Sequence, residues 1–199
     1  MLLLIAEYLG IAAFAASGFY LAVRHRLDLL GIYLSSFLTA LGGGIIRDLL
    51  ADRLPYSLIH SLPSVVVILV TTLLIWRRMH RHPWESQWLF VFVDALGMVS
   101  FAISGALVGL ETGFNLAGVT LLAFTTAVGG GILRDILINQ VPYVLRGGFY
   151  GIIALGIGGS VWLLHTLGWD NSFLLTLLFL GGVILRMIAY RRRWALPRL

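Results

Sequence analysis

Two copies of one short sequence decide the fold of this chain: TALGGGIIRDLL at residues 39–50 and TAVGGGILRDIL at residues 126–137. Each copy places three consecutive glycines inside an apolar run, with an Arg-Asp pair one turn later. Glycine disfavours a helix by up to about 1 kcal/mol relative to alanine, and a charge in an apolar segment needs a partner. Because both costly features occur twice, they predict a functional element.

The two copies belong to a longer internal repeat with an offset of 87 residues, the difference between Phe101 and Phe14. FAASG at 14–18 matches FAISG at 101–105, and a Pro-Tyr pair ends each copy. Aligned without a gap, residues 7–56 match residues 94–143 at 21 of 50 positions. Shared hydrophobicity alone would not align one Arg-Asp pair with another, so the halves are predicted to be structural repeats.

The composition is that of a polytopic membrane protein. Of the 199 residues, 59% are hydrophobic and only 12% are charged, against about 25% charged in a soluble domain. The basic residues are all arginines, most of which lie between and after apolar runs and form no soluble basic domain, so no nucleic-acid partner is expected. The absence of cysteine excludes disulfides, iron–sulfur clusters and thiol catalysis.

Seven apolar segments are predicted to cross the membrane, because about 20 residues of helix span its hydrocarbon core. These predicted spans cover residues 3–23, 29–50, 58–76, 88–110, 114–138, 148–167 and 173–190. The first span contains Glu7 and follows no basic segment, so it is interpreted as a membrane helix and not as a cleaved signal peptide.

Each repeat holds three spans, and an odd number requires the second copy to insert upside down relative to the first. The predicted fold class is therefore all-α, with an inverted 3+3 repeat plus a seventh helix. We expect one membrane domain, 1–199, with repeat 1 at 1–80 and repeat 2 at 81–167. The seventh helix and a basic tail then occupy 168–199.

The arginines indicate the orientation. With seven spans, the side opposite the C-terminus clearly carries only Arg53. The side of the C-terminus carries ten arginines: Arg24, Arg26, Arg77, Arg78, Arg81, Arg146, Arg191, Arg192, Arg193 and Arg198. The positive-inside rule then places the C-terminus in the cytoplasm and the N-terminus outside.

The glycine triplets suggest an interruption in the second and fifth spans, the element on which inverted-repeat proteins build their pathway. Freed carbonyls are tolerated only against protein or water, so a break would indicate a nearby lumen. Close helix packing is the alternative interpretation of the same glycines. The candidates for a kink or hinge are Gly42, Gly43, Gly44, Gly129, Gly130 and Gly131.

The matched polar residues are the other site candidates. Arg47 and Arg134 could pair across the repeats with Asp135 and Asp48, bond backbone carbonyls, or extend to the interface. Glu7 and Asp94 could concentrate cations at two opposite mouths or be interfacial. The hydroxyls either line a pathway or bond carbonyls of their own helix, and these are Ser17, Ser104, Thr39 and Thr126.

No catalytic constellation occurs in the sequence, so an enzyme, a bound cofactor and a structural metal are not expected. Physical reasoning alone leaves a channel and a secondary transporter as equal alternatives. The doubled GGGI-RD block in a 3+3+1 arrangement resembles the trimeric intracellular cation-selective (TRIC) channel family, in particular its prokaryotic branch. Members of that branch are also described as glycine-transporter-like, which retains alternating-access transport of a small solute such as glycine as the alternative.

The resemblance implies a homotrimer in membrane lipid, in a prokaryotic inner membrane, with an hourglass pore in each protomer that passes K⁺ and Na⁺ transiently. It implies that the second and fifth helices kink at the glycine triplets, with a constriction or gate formed by Arg47, Asp48, Arg134 and Asp135. Arginine is an unexpected lining for a cation pore. We therefore expect Arg47 and Arg134 to be held by carboxylates or carbonyls and to act as latches.

Overall fold

The described residues of this computed structural model are 2–77, 79, 87–146, 149–169 and 171–195, and all their regular secondary structure is helical. The helices run in chain order as α1 (Leu2–Arg24), α2 (Leu29–Leu50), α3 (Tyr56–Ile59), α4 (Ser61–Trp76), α5 (Gln87–Glu111), α6 (Leu116–Leu137), α7 (Tyr143–Arg146), α8 (Tyr150–Thr166) and α9 (Ser172–Arg191). The all-α prediction is therefore confirmed.

Five helices, α1, α2, α5, α6 and α9, are long and apolar enough to cross a membrane by length and composition. The third and sixth predicted spans are shorter than expected, with 16 residues in α4 and 17 in α8. At 1.5 Å per residue these helices measure roughly 24–26 Å, less than the roughly 30 Å hydrocarbon core. The count of seven spans stays a prediction.

The third predicted span is shortened because His60, in extended conformation, separates the single turn α3 from α4. Pro63 lies in the first turn of α4, where its missing N–H removes no helical hydrogen bond. A second single turn, α7, comes before α8 in chain order. Residue 148, the predicted start of the sixth span, lies outside the described residues.

The repeats share their local structure down to the helix caps. Asp28 accepts a hydrogen bond from the Gly31 N–H at 2.8 Å, and Asn115 accepts one from the Gly118 N–H at 2.9 Å. Both are N-cap residues with strong capping propensity. Beyond the helix ends, Asp52 and Asn139 both adopt φ 54°, a left-handed conformation that Asp and Asn tolerate. Equivalent residues of the two repeats therefore adopt the same backbone conformation at the helix ends.

Helices α1 and α5 pack against each other in antiparallel directions. Along α1, Glu7 meets Ser104, Phe14 meets Phe101 at a ring separation of 5.2 Å, and Ser17 meets Asp94. The residue number of the α5 partner falls as the residue number along α1 rises, which shows that the two helices run in opposite directions. Each contact also occurs with the two repeats exchanged, which is the signature of a two-fold axis. The predicted inversion of the second repeat is confirmed.

Both glycine triplets lie inside continuous helices, so the predicted break in hydrogen bonding is wrong. The glycines instead bring α2 and α6 together. A Cβ at Gly43 would lie 2.1 Å from the Thr126 carbonyl oxygen, and a Cβ at Gly130 would lie 2.1 Å from the Thr39 carbonyl oxygen. Close packing accounts for Gly43 and Gly130, because the two backbones touch where no side chain intervenes, and a hinge at the triplets stays a prediction.

Alanine at Gly130 is expected to destabilise the protein, because its methyl group meets a backbone oxygen that cannot move aside. Overpacking of this kind costs about 1–3 kcal/mol, more than the gain of up to about 1 kcal/mol in helix propensity. Gly131→Ala is the matched control, since its Cβ would meet nothing closer than 3.7 Å. Thermal unfolding in lipid nanodiscs should show a lower midpoint for Gly130→Ala alone, and equal midpoints for the two variants would contradict this account of the contact.

Candidate functional site

The first buried charge cluster, the repeat-1 cluster, contains Glu7, Arg47, Asp48 and Ser104. Arg47 is 2% exposed near the end of α2, and its Nη1 contacts the Glu7 carboxylate and donates to Ser104 Oγ at 2.6 Å. Its Nε donates to Asp48 Oδ1 at 2.8 Å. Ser104 Oγ in turn donates to Glu7 Oε2 at 2.7 Å. One guanidinium therefore links α1, α2 and α5.

The repeat-2 cluster contains the equivalent residues Ser17, Asp94, Arg134 and Asp135. Arg134 is 3% exposed, and it donates from Nε to Asp135 Oδ1 at 2.9 Å and from Nη1 to Ser17 Oγ at 3.0 Å. Ser17 Oγ donates to Asp94 Oδ1 at 2.9 Å. The Arg134 Nη1 to Asp94 Oδ1 distance is 3.7 Å. Aspartate is one methylene shorter than the glutamate of repeat 1, so Asp94 lies farther from its arginine than Glu7 does, while a serine bridges the pair in both clusters.

Each arginine takes its two carboxylates from its own repeat and its hydroxyl from the other repeat. The predicted cross-repeat pairs, Arg47 with Asp135 and Arg134 with Asp48, are therefore wrong. The clusters lie too far apart for such pairs, because Glu7 and Ser17 are separated by about 15 Å along α1 at 1.5 Å per residue. The expectation that the arginines are held by carboxylates is confirmed.

The remaining polar candidates divide into two groups. Glu7 and Asp94 are buried partners of the arginines, so neither of them is an exposed acidic group at a mouth. Ser17 and Ser104 belong to the clusters. Thr39 and Thr126 each donate at 2.6 Å to a carbonyl four residues earlier in their own helix. For these threonines, the alternative that the hydroxyl bonds a carbonyl of its own helix is therefore the correct one.

Both clusters extend to the Pro-Tyr pair that ends each repeated block. Asp48 Oδ2 accepts a hydrogen bond from the Tyr56 N–H at 2.8 Å, and Asp135 Oδ2 accepts one from the Tyr143 N–H at 2.6 Å. Each aspartate thus joins an arginine to the start of a single-turn helix. A movement of α2 or α6 at its end must therefore move α3 or α7.

The clusters differ in what lies beside them. Arg53 donates to Asp48 Oδ1 at 3.1 Å, and a cavity of about 220 Å³ opens beside the repeat-1 cluster. The cavity at the repeat-2 cluster measures only about 10 Å³ and is walled by Tyr143 and Tyr150. Of the two chemically equivalent clusters, the repeat-1 cluster therefore lies beside a larger cavity and the repeat-2 cluster beside a nearly closed one.

Tyr143 and Tyr150 line the repeat-2 cavity, and Arg186 of α9 donates a hydrogen bond to the Tyr143 hydroxyl at 3.1 Å. Sequence reasoning missed these three residues. Arg186 is an arginine in the middle of an apolar span, and that signal alone predicts a buried functional partner. Tyr143 appeared in the repeat only as an aligned residue, and its role depends on a contact with α9. Among the described residues, no group of acidic residues and histidines could hold a metal ion.

Alanine at Ser104 is expected to lower stability by about 1–3 kcal/mol, because it leaves buried charged partners short of a hydrogen bond. Ser100→Ala is the matched control one turn away in α5. Both serines are fully buried, but the Ser100 hydroxyl has no hydrogen-bond partner among the described residues. Chemical unfolding in detergent should place Ser104→Ala below the parent protein and Ser100→Ala at or above it; the reverse order would contradict the assigned role of Ser104.

A family model described as glycine transporter matches the chain twice, at residues 4–79 and 91–166, once in each repeat. The chain is 37% identical over 198 residues to the UPF0126 membrane protein YvgT of Bacillus subtilis, covering 95% of this chain and 92% of the relative. It is 35% identical over 162 residues to the UPF0126 inner membrane protein YadS of Escherichia coli, covering 78% and 74%.

Solved structures of similar fold are TRIC cation channels. One, from a study of conductance through these channels, shares 36% identity and a TM-score of 0.87 over 98% of this chain and 96% of its own. The TRIC trimeric intracellular cation channel orthologue from Rhodobacter sphaeroides shares 26% identity and a TM-score of 0.86, covering 94% and 96%. The chain is a multi-pass membrane protein that belongs to the TRIC family, whose family model carries the description glycine transporter.

Proposed function

We propose that this protein is a channel for K⁺ and Na⁺, with a pore inside each protomer between the inverted repeats. The observation that carries the proposal is the likeness over 98% of the chain to a solved TRIC cation channel. The buried clusters on the interface between the repeats supply the charged groups that such a pathway needs.

The proposed pathway runs between α2 and α6 and joins the two clusters. It is closed where Gly43 and Gly130 each face a backbone carbonyl of the other helix. Opening then requires α2 and α6 to separate at this contact, with the glycine triplets as hinges. Next to these backbone contacts, Leu133 lies against Gly42 and Ile46 lies against Gly129, so opening also has to move these two side chains.

The clusters fit cations despite their arginines. Each contains two carboxylates and one guanidinium, which leaves a formal charge of −1 when all three groups are ionised. A passing cation would meet carboxylate oxygens and a serine hydroxyl, which attract cations. In this proposal Arg47 and Arg134 are latches that hold the helix ends, and together with Asp48 and Asp135 they form the gates.

The proposed assembly is a homotrimer in membrane lipid, as the name of the Rhodobacter sphaeroides relative indicates for that protein. The arginine distribution supports a cytoplasmic C-terminus and an external N-terminus in the inner membrane. In that orientation the repeat-1 cluster faces outward and the repeat-2 cluster faces the cytoplasm. The whole chain is proposed to act as one membrane domain that requires no cofactor.

Purified protein in a planar bilayer under a KCl gradient tests the proposal. Discrete unitary currents are expected, with a reversal potential close to that of a cation-selective pore. Bilayers without unitary currents, together with saturable counterflow of labelled glycine into proteoliposomes, would favour the transporter alternative and contradict the channel.

Alanine at Arg134 is expected to raise the open probability or change the unitary conductance, because it releases Asp94 and Asp135 from their shared cation. Arg192→Ala, at an exposed position in the basic tail, is the control for loss of one arginine. Single-channel recording of both variants, each checked for folding by gel filtration, makes the comparison. Conductance and open probability that both match the parent channel would rule out the latch role of Arg134.

A further inference from the structure

Arg186 is a third buried arginine, on α9, the helix that has no counterpart in repeat 1. It is 3% exposed and donates from Nη2 to the Tyr143 hydroxyl at 3.1 Å. Its guanidinium carbon lies 4.9 Å from the centre of the Tyr150 ring and 5.7 Å from that of Tyr143. In the described part of the chain it has no ion pair, and its Nε has no hydrogen-bond partner.

The two tyrosines connect Arg186 to the repeat-2 cluster. Tyr143 and Tyr150 line the small cavity of about 10 Å³ together with Asp94, Arg134 and Asp135. Arg186 lies against the rings of both tyrosines, in a cation–π arrangement that strengthens when water is excluded. A buried cation thus stands beside a buried cluster of formal charge −1, and each reduces the desolvation cost of the other.

Repeat 1 obtains its second cation from a different place. Arg53, in the loop after α2, binds Asp48 directly and is partly exposed. The equivalent position of repeat 2, 87 residues later, is the uncharged Gln140. Helix α9 therefore supplies from outside the repeat the positive charge that the loop of repeat 2 lacks.

We propose that Arg186 is a positioning residue that holds the repeat-2 cluster closed by fixing Tyr143 and Tyr150 over its cavity. Its positive charge also substitutes for the charge of a cation that would bind beside Asp94 and Asp135. This inference rests on the proposed cation channel and makes α9 its regulatory element. The repeat-2 cavity opens when α9 moves Arg186 away from the tyrosines, whereas the repeat-1 cavity already measures about 220 Å³ beside its counterpart Arg53.

A single-cysteine reporter tests the closure without requiring conduction. The chain has no cysteine, so Val144→Cys introduces the only thiol, at a partly buried residue that lines the repeat-2 cavity. The rate of its modification by a cationic methanethiosulfonate reagent is measured in lipid vesicles. Adding Arg186→Gln is expected to raise this rate by about tenfold or more, while Arg192→Gln leaves it unchanged.

Gln140→Arg is expected to reverse the effect of Arg186→Gln. The backbones match at this position, because the Gln140 N–H donates to the Asp135 carbonyl at 2.8 Å and the Arg53 N–H donates to the Asp48 carbonyl at 3.0 Å. An arginine at 140 can then reach Asp135 as Arg53 reaches Asp48. A raised rate that Gln140→Arg does not lower would overturn the role of Arg186 as counter-charge.

Two further variants keep the test decisive if Arg186→Gln does not fold. Tyr143→Phe removes only the hydroxyl that accepts from Arg186, and Arg186→Lys keeps the charge but loses the planar guanidinium. Both are expected to raise the modification rate by a smaller factor. Rates within twofold of the reporter parent in every folded variant would overturn the proposal.

Recordings in planar bilayers separate this inference from the proposed function. Arg186→Gln is expected to raise the open probability, and Gln140→Arg is expected to restore it. If the parent protein passes no current, the channel proposal fails, while the cysteine reporter still decides whether Arg186 closes the cavity. Currents from the parent with open probability unchanged by Arg186→Gln would overturn the gating role of Arg186 alone.

Discussion

The direct backbone contact between α2 and α6 is the constraint on which the rest of the structure depends. At Gly43 and Gly130 a carbonyl oxygen of each helix occupies the place of a side chain on the other. This approach brings the two repeats close enough for Arg47 to reach Ser104 and for Arg134 to reach Ser17. The serine contacts hold each cluster across the interface between the repeats. The buried charges therefore depend on the close packing of the two helices. This dependence explains why the glycines and the Arg-Asp pair occur together in the sequence.

Symmetry makes the clusters equivalent, and two departures from symmetry distinguish them. The shorter Asp94 lies 3.7 Å from Arg134 Nη1, whereas Glu7 contacts Arg47 directly. The second cation comes from a loop in repeat 1 and from α9 in repeat 2. In the proposed channel, two identical gates would give the path no preferred direction, whereas these differences would place one gate under the control of a helix outside the repeat.

The sequence predicted the repeat, its inversion and the charged residues of the two clusters. These follow from the offset of 87 residues and from the odd number of spans in each repeat, which can be read along the chain. It did not predict which groups pair. An alignment shows that Arg47 and Arg134 are equivalent, but their partners depend on the 15 Å or so that separates the clusters along α1. It also left two meanings for the glycine triplet, since a kink and a close contact need the same missing side chain. Arg186 was missed because α9 lies outside the repeat on which the search for matched residues relied.

The central claim is that cations pass between α2 and α6 within one protomer, and a charge placed at their contact tests it most directly. Leu133 of α6 lies against Gly42 of α2, so Leu133→Cys introduces a single thiol at the contact, and Ile136→Cys supplies a control on the exposed side of the same helix. A cationic thiol reagent is applied during single-channel recording, and labelling is confirmed by mass spectrometry. We predict that the unitary K⁺ current falls for Leu133→Cys and not for Ile136→Cys. Complete labelling of Leu133→Cys with an unchanged current would contradict the pathway.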